Sequence, residues 1–316
     1  MSRHKFNRIV SWILVAAIFF FLAKMVWSNW VQVKEASFSL RFFPLFSGTV
    51  FFAVSYFFQL WAWYLITQKL GIALSFPETT KTWFYSQAGK YLPGKIWLFL
   101  GRVYFYESKG KSKKSVSVAL YFEAATLLVA GGLICLAALL LFEEMGAVHS
   151  NKILGWLVIA CILLAFIFLH PRVLQKILNW VLVLFKREPL VLSISYWNIL
   201  WVLFYCILSW VVGGIGFYLF VDAVYPLSSH YILFLTGALA VSNTLGLIAI
   251  FAPGGLGVRE GVLVYLLSFV TPVPVAVILS VLTRIWMTLI EIGLIGIVYL
   301  VDKIPKGSVR KGRVPN

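Results

Sequence analysis

Two stretches of this chain combine helix-breaking residues with charge in otherwise apolar surroundings. The first is Tyr85-Ser86-Gln87-Ala88-Gly89-Lys90-Tyr91-Leu92-Pro93-Gly94-Lys95-Ile96-Trp97, followed by Gly101-Arg102. The second is Ala252-Pro253-Gly254-Gly255-Leu256-Gly257-Val258-Arg259-Glu260. Each is a Pro-Gly break with an arginine downstream, and each precedes an apolar run that carries a carboxylate. Glu123 follows Arg102; Arg284 and Glu291, seven residues apart and so on one helical face, follow Arg259. Glycine-rich turns and helix N-termini present unpaired amides at the positive end of a dipole. Beside Lys90, Lys95, Arg102, Arg259 and Arg284 they would form an electropositive hollow suited to an anion. In a membrane the abundant anion is a lipid phosphate. The acidic partners Glu123, Glu260 and Glu291 would limit the charge of the empty site, or exchange protons during turnover. Two plainer readings stand beside this one: Pro-Gly turns are common in surface loops, and a charge inside a span can be a paired group that only orders the bundle.

Other chemistries find little support. His4, His149, His170 and His230 are scattered near segment ends, and Cys135, Cys161 and Cys206 lie inside apolar runs without metal-ligand spacing. There is no nucleophile elbow, no aspartate pair and no His-Glu-x-x-His run. A transferase for lipid-linked sugars would need a carboxylate pair in an outer loop, where the first such loop holds only Glu35. The expectation is a protein that is not an enzyme, with no cofactor and no metal.

Such residues must be positioned by membrane helices. Of 316 residues 61% are hydrophobic and 12% charged, against roughly a quarter charged in soluble domains. A transmembrane helix needs roughly 20 apolar residues. The candidate spans are Ile9–Trp27, Phe42–Ile66, Val116–Phe142, Ile153–Leu169, Tyr196–Val221, Tyr231–Phe251 and Val275–Val301. Two apolar pieces, Trp83–Tyr91 and Ile96–Tyr106, are too short to cross and read as a re-entrant hairpin turning at Pro93-Gly94. The N-terminal run lacks a cleavage site before the Trp27–Trp30 belt and reads as a retained anchor.

The net charge of +16 would suggest nucleic acid in a soluble protein. Here the basic residues follow topology instead, and nucleic acid is excluded as a partner. With the N-terminus inside, 22 of the 27 Lys and Arg fall in inner segments, and only Lys34, Arg41 and Lys152 in outer loops. The basic tail, residues 302–316, then also lies inside, which demands an even number of crossings. Val258–Val270 therefore has to supply an eighth, unless it is re-entrant. The resulting expectation is an all-α polytopic bundle of about eight spans in the inner or plasma membrane. It forms one membrane domain over residues 1–316, including a basic N-terminus at 1–8, with both ends cytoplasmic. Interrupted segments at matching points of two halves are a pointer to a transporter's binding site and suggest a two-half pseudo-repeat.

The run Lys90 to Trp97 with Gly101-Arg102 and Glu123, then Pro253 to Glu260 and Arg284, resembles the lysylphosphatidylglycerol synthase transmembrane-region family, also called flippase-like. The resemblance spans about residues 10–300, and the second motif is the more specific. It implies a module that binds or moves membrane lipid between leaflets, an anionic phospholipid or a polyprenyl-phosphate-linked lipid. The aminoacyl-transferase domain that follows the membrane part in multiple peptide resistance factors is not seen before Asn316, so synthase activity is not implied. Two alternatives remain: a non-catalytic membrane partner of an enzyme that modifies lipids or glycans, and a membrane-embedded transferase.

Overall fold

Long apolar helices dominate the chain, and where they touch most closely glycine replaces bulk. A computed structural model describes residues 20, 24, 27, 40–91, 97–141, 152–184, 186, 188–189, 194–249, 255 and 257–303. The first expected span, Ile9–Trp27, falls outside these except for Phe20, Lys24 and Trp27, which are helical. The helices are α1 (Phe42–Lys69), α2 (Phe76–Gln87), α3 (Trp97–Glu107), α4 (Lys113–Leu141), α5 (Lys152–Phe168), α6 (Pro171–Leu184), α7 (Tyr196–Val224), α8 (Ile232–Ile248), α9 (Val258–Leu267) and α10 (Val273–Lys303). No strand occurs among the described residues. Five helical stretches are long and apolar enough to cross a membrane: α1, α4, α7, α10 and Ser229–Ile248, which contains α8. A sixth arises if α5 and α6, bent by 75°, count as one.

The centre of the bundle is α1 packed antiparallel on α7. Arg41 at the start of α1 pairs with Asp222 near the end of α7, and Gln59 donates to Ser209 Oγ at 3.0 Å. The two backbones nearly touch, since a Cβ on Gly48 would come within 2.8 Å of the Gly216 carbonyl oxygen. Lipid offers apolar side chains no burial advantage, so close backbone approach is what holds such pairs. Trp286 of α10 completes this centre, stacking on Phe220 at 4.4 Å and donating to Thr49 Oγ1 at 3.0 Å.

Between the long helices lie two short hairpins. α2 and α3 run antiparallel: Glu78, near the start of α2, binds Lys109 just past the end of α3 at 2.8 Å, and a side chain at Gly89 would meet the Trp97 backbone at 2.6 Å. Their mouth is therefore level with the Lys69 end of α1. α2 also runs alongside α10, with Lys81 on Asp302 (2.6 Å) and Lys90 on Glu291. Glu291 lies eleven residues before Asp302, about 16 Å along a helix. The tip of the first hairpin thus reaches about the middle of α10.

α8 and α9 form the second hairpin, and it opens from the opposite end. Gly237 packs on Ala138 close to the end of α4, whereas Thr244 packs on Gly131. Gly131 is eighteen residues, about 27 Å, from the Lys113 end of α4. α8 therefore stops in mid-bundle. Gly257 begins α9, which returns to meet the start of α10 through the turn after Leu267. At 10 residues, about 15 Å, α9 is too short for the independent eighth crossing expected of Val258–Val270.

The order long, short, short, long occurs twice. α1 to α4 have 28, 12, 11 and 29 residues; α7 to α10 have 29, 17, 10 and 31. The two sets run in opposite directions, so each hairpin enters from a different end.

Candidate functional site

The charged residues divide into a buried brace and a shared cluster. The brace lies in the first half. Arg102 of α3 is 1% exposed, and its guanidinium binds Glu123 of α4 and donates to Ser86 Oγ of α2 at 3.0 Å. It also lies over the Trp63 ring at 4.4 Å and the Trp83 ring at 5.6 Å. Trp83 Nε1 donates to the other Glu123 oxygen at 3.0 Å, and Trp63 Nε1 donates to Tyr106 OH at 2.9 Å. The guanidinium is thus buried and bound within its own fold, tying α2, α3, α1 and α4 together.

The cluster forms along α10, where the Lys90 end of the first hairpin and the start of α9 both meet it. Lys90, in the 3-10 turn Ala88–Tyr91 that ends α2, forms an ion pair with Glu291 of α10 and lies over the Tyr56 ring at 6.0 Å. Arg284, seven residues before Glu291, has its Nε 3.7 Å from Glu260 Oε1. Glu260 also accepts from Gly257 N–H at 2.6 Å, so its side chain caps the start of α9. Arg259 extends toward α10, with its guanidinium against Met287 Sδ. Met287, which Arg259 meets, lies three residues after Arg284 and four before Glu291 on the same face of α10. Glu260 and Glu291 are each 2% exposed, while the Lys90 and Arg284 side chains keep 36% and 24%. Three cations and two carboxylates from both hairpins and α10 therefore share one mid-depth region.

Glycine makes the second tip possible. Gly255 (φ +71°) and Gly257 (φ +85°) both adopt the left-handed region, and a Cβ on Gly255 would come within 2.6 Å of the Gly246 carbonyl oxygen. Gly246 in turn packs on the Arg259 side chain, where a Cβ would meet Arg259 Cβ at 3.0 Å.

Of the residues singled out in the sequence, Lys90, Arg259, Glu260, Arg284 and Glu291 come together, with Gly255 and Gly257 as their frame. Arg102 and Glu123 pair with each other elsewhere. Pro93, Gly94, Lys95, Pro253 and Gly254 lie outside the described residues. Tyr56 and Met287 join the cluster, and Trp63, Trp83 and Ser86 join the brace, with no sequence signal separating them from ordinary core. The start of α2 did carry one: Ser75-x-x-Glu78 has the N-cap pattern, and Ser75 Oγ accepts from Glu78 N–H at 3.4 Å. Among the described residues no group of three His, Cys, Asp or Glu is placed to hold a metal.

A family model described as Lysylphosphatidylglycerol synthase TM region matches residues 9–296. The chain belongs to this family. It is a membrane protein of the lysylphosphatidylglycerol synthase membrane-region type, and the match includes both hairpins, the brace and every member of the charged cluster. No curated protein matches the chain.

Proposed function

We propose that this protein binds a membrane lipid by its phosphate between the two hairpin tips and passes it from one leaflet to the other. One observation carries the reading: hairpins entering from opposite ends of the bundle bring Lys90 to Glu291 and Arg259 to Met287, within the two turns of α10 that begin at Arg284. Irregular backbone at membrane depth is tolerated only where protein buries it or a water-filled cavity solvates it, so both hairpins are read as re-entrant. Inverted repeats that meet at a midplane site are the architecture of many alternating-access transporters. The cluster carries one net positive charge, which the single charge of a phosphodiester neutralises. The family's description names the membrane region of a synthase whose product is a phospholipid, which agrees with a lipid cargo.

The Lys69 end is assigned to the cytoplasm. Lys90, Arg102 and Arg259 lie within the bundle and drop out of the loop-charge count, yet nineteen of the 22 inner basic residues remain against three outer ones. If α8 and α9 together form an outer hairpin, neither is a crossing. The N-terminal segment, α1, α4, α5, α7 and α10 then make six crossings and keep both ends inside.

Proteoliposomes carrying NBD-labelled phosphatidylglycerol test the reading, with dithionite reporting the label on the outer leaflet. The wild type moves label between leaflets faster than protein-free vesicles. Arg259→Ala and Arg284→Ala slow it about ten-fold or more, because a hydrogen bond between charged groups is worth about 1.5–3 kcal/mol. Wild-type rates in both variants, or no protein-dependent movement at all, would refute it.

A further inference from the structure

We infer that Glu291 is a built-in counter-anion: it occupies the cations when the lipid phosphate is absent and so allows the empty carrier to return. The inference rests on the transport reading of the same site and adds a role that separates net transport from exchange.

The two carboxylates of the cluster are held differently. Glu260 belongs to the frame, since it caps its own helix through Gly257 N–H and its carbonyl accepts from Ser280 Oγ of α10 at 3.1 Å. Glu291 bridges separate elements: it projects from α10 and pairs with Lys90 on the tip of the first hairpin. Arg259, against Met287, meets α10 one turn back on the same face, and Arg284 stands two turns back. The carboxylate therefore pairs with one of the three cations and lies within two helical turns of where the others meet α10, so a phosphate that takes Lys90 has to compete with it.

Unpaired cations are costly in a medium of low dielectric. With Glu291 ionised the empty site is one charge from neutral, and a bound phosphodiester makes it neutral while freeing Lys90 from Glu291. When the lipid leaves, Lys90 and Glu291 pair again. Without that carboxylate the empty site holds three cations against Glu260 alone, two charges from neutral. Only the loaded form then rearranges readily, and a carrier that rearranges only when loaded is an exchanger.

The test uses proteoliposomes of phosphatidylcholine with NBD-labelled phosphatidylglycerol placed in the outer leaflet by cyclodextrin exchange, with or without unlabelled phosphatidylglycerol in the inner leaflet. Wild type and Glu291→Asp, which keeps the carboxylate, carry label inward at rates independent of the inner lipid. Glu291→Gln slows inward movement about ten-fold or more when the inner leaflet lacks phosphatidylglycerol and recovers when it is supplied, as expected for an unneutralised buried charge. Lys90→Gln/Glu291→Gln, which restores the net charge of the empty site, regains movement without inner lipid relative to the single variant. Three results overturn the inference: Glu291→Gln carrying label at the wild-type rate without inner lipid, as a proton-carrying Glu291 would allow; Glu291→Gln remaining slow whether or not inner lipid is present; or Glu291→Asp behaving like Glu291→Gln. A wild type that moves no label removes the transport reading itself, and is thereby told apart from these three.

Discussion

At the scale of single residues, burial separates side chains that the sequence presents alike. Arg102, Arg259 and Arg284 all follow a break in an apolar run, yet Arg102 is enclosed by two indoles, a serine and a carboxylate while Arg284 stays partly open. Breaking one partner of a buried pair leaves an uncompensated charge, which costs about 3–5 kcal/mol. Glu123 is 18% exposed, so Arg102→Met should fall near the low end, about 3 kcal/mol, read as a lower midpoint in thermal melts of the detergent-solubilised protein. Arg102→Met/Glu123→Gln should cost less than the sum of the two single changes, and simple additivity would show that the pair is not coupled. Proximity of charge to a Pro-Gly break was legible in the chain; which arginine is committed to its own fold was not, because Trp63 and Ser86 reach it from other helices.

At the scale of elements, the breaks themselves decide geometry. Gly255 combines a positive φ with a backbone contact that admits no Cβ, so Gly255→Ala must shift the tip or strain it. The left-handed conformation alone costs about 1–2 kcal/mol. The variant should melt lower and lose lipid movement, and an unchanged melting profile would contradict the tip geometry. Gly48 makes the same argument for α1 on α7: Gly48→Ala pushes the pair apart at a cost of about 1–3 kcal/mol. Gly132→Ala on α4, which meets nothing within 4 Å, should be neutral or slightly stabilising, since alanine is the better helix former by about 1 kcal/mol. Melts of the two variants side by side check the contrast. The short helices were half legible: Trp83–Tyr91 and Ile96–Tyr106 overlap α2 and α3, but the start of α2 lay farther back at the Ser75 cap. The reading of Tyr231–Phe251 as a complete crossing followed from its apolar length. Ser229–Ile248 keeps that length, and only its packing against Gly131 shows how far along α4 it reaches.

At the scale of the whole molecule, opposed hairpins predict a depth pattern that plain loops do not. In a background lacking Cys135, Cys161 and Cys206, Ser108→Cys should react with a membrane-impermeant maleimide from the cytoplasmic face and Ser229→Cys from the other. Ile248→Cys, at the end of α8 and 57% exposed, should resist labelling from both faces because lipid surrounds it. Rapid cytoplasmic labelling of that position would restore α8 as a full crossing and remove the second hairpin. The charge bias that orients the chain is unaffected by the outcome, since an outer hairpin and a pair of crossings leave the same parity.

By itself the sequence determined class, orientation bias and the location of the breaks. Those properties are local: apolar run length, the placement of basic residues and Pro-Gly interruptions are each read within a few tens of residues. Tertiary structure decided how deep each break reaches, which charges meet and which are consumed as braces. Lys90 and Glu291 are separated by two hundred residues of chain, and only the packing of the first hairpin along α10 makes them a pair. Helical periodicity says which residues share a face, but pairing across helices depends on how far each helix is slid along its neighbour. Here close contacts at glycine, Gly48 on the Gly216 backbone and Gly131 under the Thr244 side chain, set that displacement.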